Sequence, residues 1–114
     1  MSNNSLVYIG TCTRTTPGES HRAEGIYVYR LDSVTGALSL VGAARGIANP
    51  SFLALDPQRR FLYAVSEAEE LESRPIGTVS AFALNRSSGL LAPLNQQLTH
   101  GEGPCYVSVD SAGK

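Results

Sequence analysis

Short apolar runs alternate with polar turns along the whole chain. The runs are rich in Val, Leu, Tyr, Phe and Ala, and Gly, Pro, Asp, Asn or Ser bound them. This pattern favours β-strands, and no segment has the apolar spacing of an amphipathic helix. We predict antiparallel strands at residues 6–10, 25–31, 37–42, 51–56, 60–66, 77–84 and 90–94, with 105–109 beginning a further strand.

Three of these segments recur at nearly the same spacing. Residues 49–56 (NPSFLALD) return at 103–110 (GPCYVSVD), an offset of 54 residues. Residues 7–10 are echoed at 62–65, an offset of 55, and residues 26–32 at 79–85, an offset of 53. Agreement to within one residue at three places indicates an internal repeat, each copy of which holds four candidate strands, a to d.

A four-stranded antiparallel repeat of this period is typical of β-propeller blades. The strands also suit a sheet covered on both sides, since Ile26 and Val28 fall on one face and Tyr27, Tyr29 and Leu31 on the other. We therefore predict an all-β fold, a β-propeller with about two blades present. An alternative is a self-contained antiparallel sandwich of about nine strands.

The predicted boundaries place residues 1–114 in one propeller domain. Strands b to d of one blade occupy 6–42, a full blade occupies 49–95, and 103–114 begin the next blade. Both outer faces of such a pair would be uncovered. We therefore expect contact with the remainder of the propeller, or self-association, and no stable, active monomer from these residues alone.

Composition excludes several classes of function. The chain is 42% hydrophobic and 17% charged, has a formal net charge of −1, and contains no basic block. These values argue against binding to nucleic acid or to a membrane surface. The polar N-terminus does not resemble a signal peptide, and two cysteines are too few for a disulfide scaffold. We expect a cytoplasmic protein.

Several segments together resemble the seven-bladed lactonase family, which includes propeller-type 6-phosphogluconolactonases and fungal carboxymuconate-lactonising enzymes. The segments are YIGTCT at 8–13, GIYVY at 25–29, NPSFLALDP at 49–57, FLYAVSE at 61–67 and GPCYVSVD at 103–110. The resemblance covers nearly the whole chain and implies that it is the N-terminal third of a propeller of seven blades. At two places the chain departs from the family pattern, which usually has His where Tyr106 stands and Asn where Ser66 stands.

The resemblance implies a lactone hydrolase. The expected reaction is hydrolysis of 6-phospho-D-glucono-1,5-lactone to 6-phosphogluconate in the pentose phosphate pathway, with no cofactor and no metal. The His, Arg and Glu residues of the family's site come largely from later blades. The resemblance also leaves a carboxymuconate-type cyclase or lactonase as an alternative. A non-catalytic interaction module is a third alternative, although the predicted loops are polar and nearly free of the aromatic residues that such a module would need.

Strand order indicates which face carries the site. Connections b–c and d–a emerge on one face, and the tight a–b and c–d turns emerge on the other. The first set are predicted to be long, polar loops, at 12–24, 67–76, 42–49 and 95–103. Binding sites lie on loops of this kind more often than on tight turns, so we place the site on this face.

Lactone hydrolysis needs a group that activates water and cations for the substrate's phosphate. Glu67 ends strand b on the loop-rich face and matches the family's Glu, so we assign it as the catalytic residue. The alternative is that the acidic run 67–72 is a solvated loop. The substrate-binding candidates are Arg14, Arg45, Ser51 and His100, and Arg22 and Arg74 lie on the same face.

Other chemistry-bearing residues have structural explanations. Cys105 begins a predicted inner strand with no His or Asp nearby in sequence, so we expect a buried Cys acting as a small hydrophobic residue. We also expect a structural role for Cys12. His21 is expected to be solvated. Asp56 and Asp110 occupy the same position in two repeats, before a turn, and are interpreted as turn residues.

Overall fold

The computed structural model describes residues 4–13, 23–71 and 74–114, and for 67–71 and 74–75 it describes the backbone only. The described residues form seven β-strands and no helix. The strands are β1 (Asn4–Gly10), β2 (Gly25–Asp32), β3 (Leu38–Arg45), β4 (Pro50–Leu55), β5 (Phe61–Leu71), β6 (Arg74–Leu84) and β7 (Leu91–Leu98).

The strands form two antiparallel sheets. The first blade is a three-stranded sheet in the order β1-β2-β3, and the second blade is a four-stranded sheet in the order β4-β5-β6-β7. Each strand pairs with its neighbour in sequence, as a meander does. Seven of the eight predicted strands are confirmed, at bounds that differ by one residue at some ends and by several at others.

Three of the four polar connections predicted on the functional face are shorter than the sequence indicated. Of the predicted loop 67–76, residues 67–71 belong to β5 and 74–76 to β6. Strand β3 continues to Arg45 and β7 to Leu98, so the predicted loops 42–49 and 95–103 were too long. The physical reason is that ladder hydrogen bonds use the backbone, and polar side chains can extend a hairpin beyond its apolar part.

The predicted strand 105–109 is wrong as secondary structure. Residues 103–110 have no ladder partner and are irregular. A strand needs a neighbour to accept and donate its hydrogen bonds, and no described strand pairs with this segment. The segment still contacts the second blade, because the ring of Tyr106 lies 4.7 Å from the ring of Phe52.

The turns use the residues that the repeat identified. Asp32 Oδ1 accepts hydrogen bonds from the backbone N–H groups of Val34 and Thr35. In the second blade, Asn85 Oδ1 accepts from Ser87 and Ser88 in the same way. Asp56 Oδ1 accepts from the backbone of Arg60 and Phe61. Burial opposes ionisation of Asp56, but these bonds outweigh it and hold the pKa of its carboxyl below the ordinary value. The turn role predicted for Asp56 is confirmed, and Asp110 binds its own turn in the same way.

The hydrophobic core lies between the two sheets. Ile26 and Val28 face the second blade and are completely buried, as their shared face predicted. The buried cluster consists of Ile26, Ala44, Ile47, Leu62, Ala64 and Phe82, with Tyr8, Leu53 and Leu91 packed against it. Burial of each large apolar side chain contributes roughly 1.5–3 kcal/mol, so this layer holds the two blades together.

The blades approach most closely where β1 ends. A Cβ atom on Gly10 would collide with the backbone carbonyl oxygen of Pro50 in the second blade. We therefore expect Gly10→Ala to lower the free energy of unfolding by about 1–3 kcal/mol, measured by thermal unfolding of the protein at its full natural length. Gly101→Ala is the control, because a Cβ there meets no atom within 4 Å. Equal melting temperatures for the two variants would contradict this packing.

Candidate active site

One end of the two sheets gathers the residues predicted to be functional. We call it the upper rim, and it is the end at which β1, β3, β5 and β7 finish and β2, β4 and β6 begin. The opposite end, the lower rim, carries the tight turns at 32–37, 56–60 and 85–90. Gly10 of the first blade meets Pro50 of the second at the upper rim, so both blades contribute to it.

Two β-bulges flank one residue, Ser66, on the upper rim. On β4 the register shifts between Pro50 and Phe52, which leaves Ser51 as the extra residue. On β5 it shifts between Ser66 and Glu69, so that Glu67 and Ala68 stand opposite Gly77 alone. Bulges are frequent next to active sites because they redirect a side chain out of the regular alternation. Ser51 and Glu67, both predicted from the sequence, therefore sit at adjacent irregularities of the same sheet end.

Two buried hydroxyl groups lie beside the bulges. Ser66 is directly opposite Thr78 on the neighbouring strand, and both residues are at most 1% exposed. Neither Ser66 Oγ nor Thr78 Oγ1 has a hydrogen-bond partner among the described residues. Buried polar atoms almost always have a partner, so these two hydroxyls offer unused donors and acceptors at the rim. The sequence analysis noted Ser66 only as a departure from the family pattern and did not identify Thr78.

A reciprocal clamp joins the two blades on the same rim. Asn49 Oδ1 accepts a hydrogen bond of 2.8 Å from the backbone N–H of Thr13, and the backbone N–H of Asn49 donates to Thr13 Oγ1 at 2.9 Å. Asn49 is buried and immediately precedes β4. The clamp fixes the start of the first blade's b–c connection against the residue that leads into β4 of the second blade.

Sequence reasoning missed Asn49, although the repeat carried a signal for it. Asn49 has a φ of 40°, and Gly103, its equivalent in the next repeat, has a φ of 61°. A position that needs a left-handed backbone favours Gly or Asn, and only Asn adds a side-chain acceptor. The presence of Asn at position 49, where the next repeat has Gly103, was therefore the sequence signal for a side-chain hydrogen bond at this position.

Arg45 lies at the end of β3, the outermost strand of the first blade. Its guanidinium donates to the Glu24 carboxylate at 2.9 Å, and both side chains are largely exposed. The pair borders a cavity of about 610 Å³ that Thr13, Ile47 and Ala48 also line. The cavity opens on the upper rim beside the clamp, and Arg45 lies on β3, the edge strand of the first sheet opposite β1.

His100 lies on the connection that follows β7. It is exposed, has a φ of 62°, and lines a cavity of about 280 Å³ with Ile76, Leu98 and Glu102. Gly77 lets this connection pass directly over β6, since a Cβ on Gly77 would meet the Gly101 carbonyl oxygen at 2.5 Å. Strand β7 is three strand spacings from β4, about 14 Å. The structure therefore does not bring His100 beside Ser51.

Several predicted residues lie outside what the structure describes. Arg14, His21 and Arg22 belong to the segment 14–22, and the side chains of Glu67 and Arg74 are likewise not described. For Glu67 the structure gives the backbone position in the bulge. Of the predicted site residues, it brings together Ser51 and the Glu67 backbone, and it places Arg45 and His100 at outer strands.

The prediction that Cys105 is buried is wrong. Cys105 is exposed, and its thiol donates to the carbonyl oxygen of Gly103 at 3.1 Å. The reason is that 105–109 does not form the inner strand that would have buried it. Cys12 is also exposed and is not part of a disulfide. Among residues 4–13, 23–71 and 74–114, no three His, Cys, Asp or Glu residues group closely enough to hold a metal ion.

Comparison with known families gives one clear match. Residues 6–114 match the family model described as lactonase, seven-bladed β-propeller. A 6-phosphogluconolactonase of Bacillus subtilis (strain 168) is 38% identical to this chain over 103 residues. That alignment covers 90% of this chain but only 27% of the Bacillus protein.

Solved structures share the same arrangement of strands. The crystal structure of a candidate 6-phosphogluconolactonase from Bacteroides fragilis NCTC 9343 superposes with a TM-score of 0.80 at 32% identity, over 96% of this chain and 28% of that one. The periplasmic gluconolactonase of Pseudomonas aeruginosa superposes with a TM-score of 0.78 at 28% identity, over 96% of this chain and 29% of that one. Within the part of the chain that the structure describes, no helix is long and apolar enough to cross a membrane.

Proposed function

Because this chain belongs to the seven-bladed β-propeller lactonase family, we propose that the protein hydrolyses 6-phospho-D-glucono-1,5-lactone to 6-phosphogluconate. The observation that carries the proposal is the 38% identity to a 6-phosphogluconolactonase. The chain spans little more than a quarter of that relative's length, so the residues described here form one part of the active site.

The chemistry of the upper rim supports hydrolysis. In the proposed reaction, the Glu67 carboxylate takes a proton from a water molecule whose oxygen attacks the lactone carbonyl carbon. The bond from that carbon to the ring oxygen then breaks, and the ring oxygen receives a proton. The hydroxyls of Ser66 and Thr78, buried and without a partner among the described residues, lie next to the bulge that carries Glu67. Asn49 and Thr13 hold the two blades in register while this occurs.

A direct assay tests the proposal. The protein at its full natural length is mixed with freshly prepared 6-phosphogluconolactone, and the acid released is followed against the spontaneous hydrolysis of the lactone. We expect a rate well above the spontaneous one and independent of a metal chelator. A rate equal to the spontaneous one would overturn the proposed function.

A second candidate substrate differs from the first in its charged group. The similarity to a gluconolactonase, a protein whose name carries no phosphate, favours an unphosphorylated lactone as the alternative. A parallel assay with glucono-1,5-lactone separates the two. A higher kcat/KM for the phosphorylated lactone supports the first proposal, and a higher value for glucono-1,5-lactone supports the second.

Arg45 supplies the cation that we propose for the phosphate. Arg45→Gln should raise KM for the phosphorylated lactone by roughly 3- to 10-fold, because a partly exposed charge-assisted hydrogen bond is lost. The KM for glucono-1,5-lactone should change little. Glu24→Gln is the matched control, since it removes the partner and keeps the Arg45 charge. An unchanged KM in Arg45→Gln would remove Arg45 from the site.

We further propose a cytoplasmic location and a role in the pentose phosphate pathway. The similarity to a 6-phosphogluconolactonase of Bacillus subtilis supports the location, and the proposed substrate supports the pathway. Cell fractionation of the native host tests the first point, because one structural neighbour is described as periplasmic. Recovery of the protein in the periplasmic fraction would contradict it.

A further inference from the structure

A second cavity lies on the lower rim, at the opposite end of the sheets from the proposed active site. Its volume is about 570 Å³, within the range of small-molecule sites. Both blades contribute to it, and the residues that line it are Asn4, Ser5, Leu6, Tyr8, Arg30, Leu55, Arg59, Leu84 and Arg86. From the start of β5 to Glu67 the strand rises about 20 Å, so the two sites are well separated.

Three arginines from three different elements converge on this cavity. Arg30 comes from β2, Arg59 from the a–b turn and Arg86 from the c–d turn of the second blade. None of the three guanidinium groups has a hydrogen bond or ion pair with a described residue. Arg59 and Arg86 are exposed and Arg30 is half-buried, so all three cations are available to an anion that enters the cavity.

The neighbouring carboxylates are already occupied. Asp56 receives two backbone hydrogen bonds and the charge of Arg60, which lies 3.7 Å away. Asp32 receives the backbone N–H groups of its own turn. No acidic residue lines the cavity among those described. An anion entering the cavity would therefore meet three cations with no competing carboxylate in the lining.

The backbone conformation of Arg59 is a further observation that supports a binding role. Its φ is 58°, and its equivalent in the next repeat is Gly113, with a φ of 85°. The position favours glycine, so an arginine there is held at a backbone cost of about 1 kcal/mol. No contact of the Arg59 guanidinium with a described residue offsets this cost. A role of the side chain in binding would account for it.

We propose that this cavity binds a small ligand carrying two or more phosphate groups. Guanidinium groups match phosphate oxygens in geometry, and three of them balance the charge of a diphosphate better than that of a single carboxylate. The opposite wall is apolar and consists of Leu6, Leu55, Leu84 and the Tyr8 ring. Such a wall suits the base or another ring attached to the phosphates, as in a nucleoside diphosphate.

Titration calorimetry on the protein at its full natural length tests the site, with inorganic pyrophosphate, ADP and adenosine as the probes. We expect pyrophosphate and ADP to bind with a Kd of about 1 mM or tighter, and adenosine not to bind. Binding should weaken steeply as the salt concentration rises. Tighter binding of ADP than of pyrophosphate supports a nucleotide ligand, and equal binding supports a simple polyphosphate. Adenosine binding as tightly as ADP, or no saturable binding of either phosphate, would overturn the proposal.

Variants separate the cavity from general surface charge. Arg30→Gln and Arg86→Gln should each weaken pyrophosphate binding about tenfold. Arg59→Gly should weaken it similarly while relieving the left-handed backbone, so a loss of folding cannot explain the result. Arg60→Gln is the matched control from the same turn, because Arg60 lies against Asp56 and the Phe61 ring and outside the cavity. An equal loss of binding in Arg60→Gln would overturn the site.

Discussion

Replacement of Glu67 by Gln is expected to lower lactone turnover by about 100-fold or more in the protein at its full natural length. Gln keeps the size and polarity of the side chain but cannot accept the proton of the attacking water, and general base catalysis contributes roughly 10²- to 10⁴-fold. The bulge opposite Gly77 redirects the chain at this residue, which fits a group placed for chemistry. The measurements are kcat and KM with 6-phosphogluconolactone.

The same acidic run supplies the control for this experiment. Glu70→Gln removes an equal charge three residues away, where β5 has returned to regular pairing with β6. We expect that variant to retain normal turnover, and both variants to keep the melting temperature of the parent protein. Unchanged kinetics in a folded Glu67→Gln variant would exclude Glu67 from catalysis and would favour the alternative that the run is only a solvated surface.

Residues 1–114 produced on their own are expected to associate or to remain partly unfolded, and to show no lactonase activity. The first blade presents an apolar face directed away from the second blade, on which Leu38 and Leu40 are 51% and 61% exposed. On the second blade, Phe52 is 37% exposed. Each large apolar side chain left in water forfeits part of about 1.5–3 kcal/mol, and a few of them equal the roughly 5–15 kcal/mol by which domains are stable.

Sedimentation velocity and a lactonase assay on residues 1–114 test whether the isolated segment associates and whether it is active. The edge strands of the two sheets add to the tendency to associate, because the free backbone groups of β1, β3, β4 and β7 can pair with another copy. A Leu40→Lys variant should associate less than the parent segment, since it places a charge on the uncovered face. A compact, active monomer of the parent segment would show that two blades suffice.

The strands and their order were predictable because they depend on local patterns. Short apolar runs, the turn residues that bound them and an internal repeat are all present in the sequence itself. The two apolar faces of β2 were predictable for the same reason, since a residue's side of the sheet follows from its place in the strand. The strand at 105–109 failed because a strand also needs a partner, which local pattern cannot supply.

The roles assigned to Glu67, Ser51, Arg45 and His100 stay predictions. The sequence placed all four on one rim, because strand ends show which rim a residue lies on, but it could not show how far apart they lie along that rim. Their separation across the sheets follows from strand order, which sets how far apart residues on a single rim can be. The rim loops were predicted too long because polar residues indicate exposed side chains. They do not show whether the backbone at the same residues is paired in a strand.

The sequence by itself determined the all-β class, the blade repeat, the turns and the family, because each rests on residues close together in the chain or on a repeated spacing. Tertiary structure alone decided the bulges around Ser66, the clamp between Thr13 and Asn49, and the gathering of three arginines on the lower rim. These features join residues from different strands and blades. Their positions depend on register and on sheet packing, where a shift of one residue changes which side chains meet.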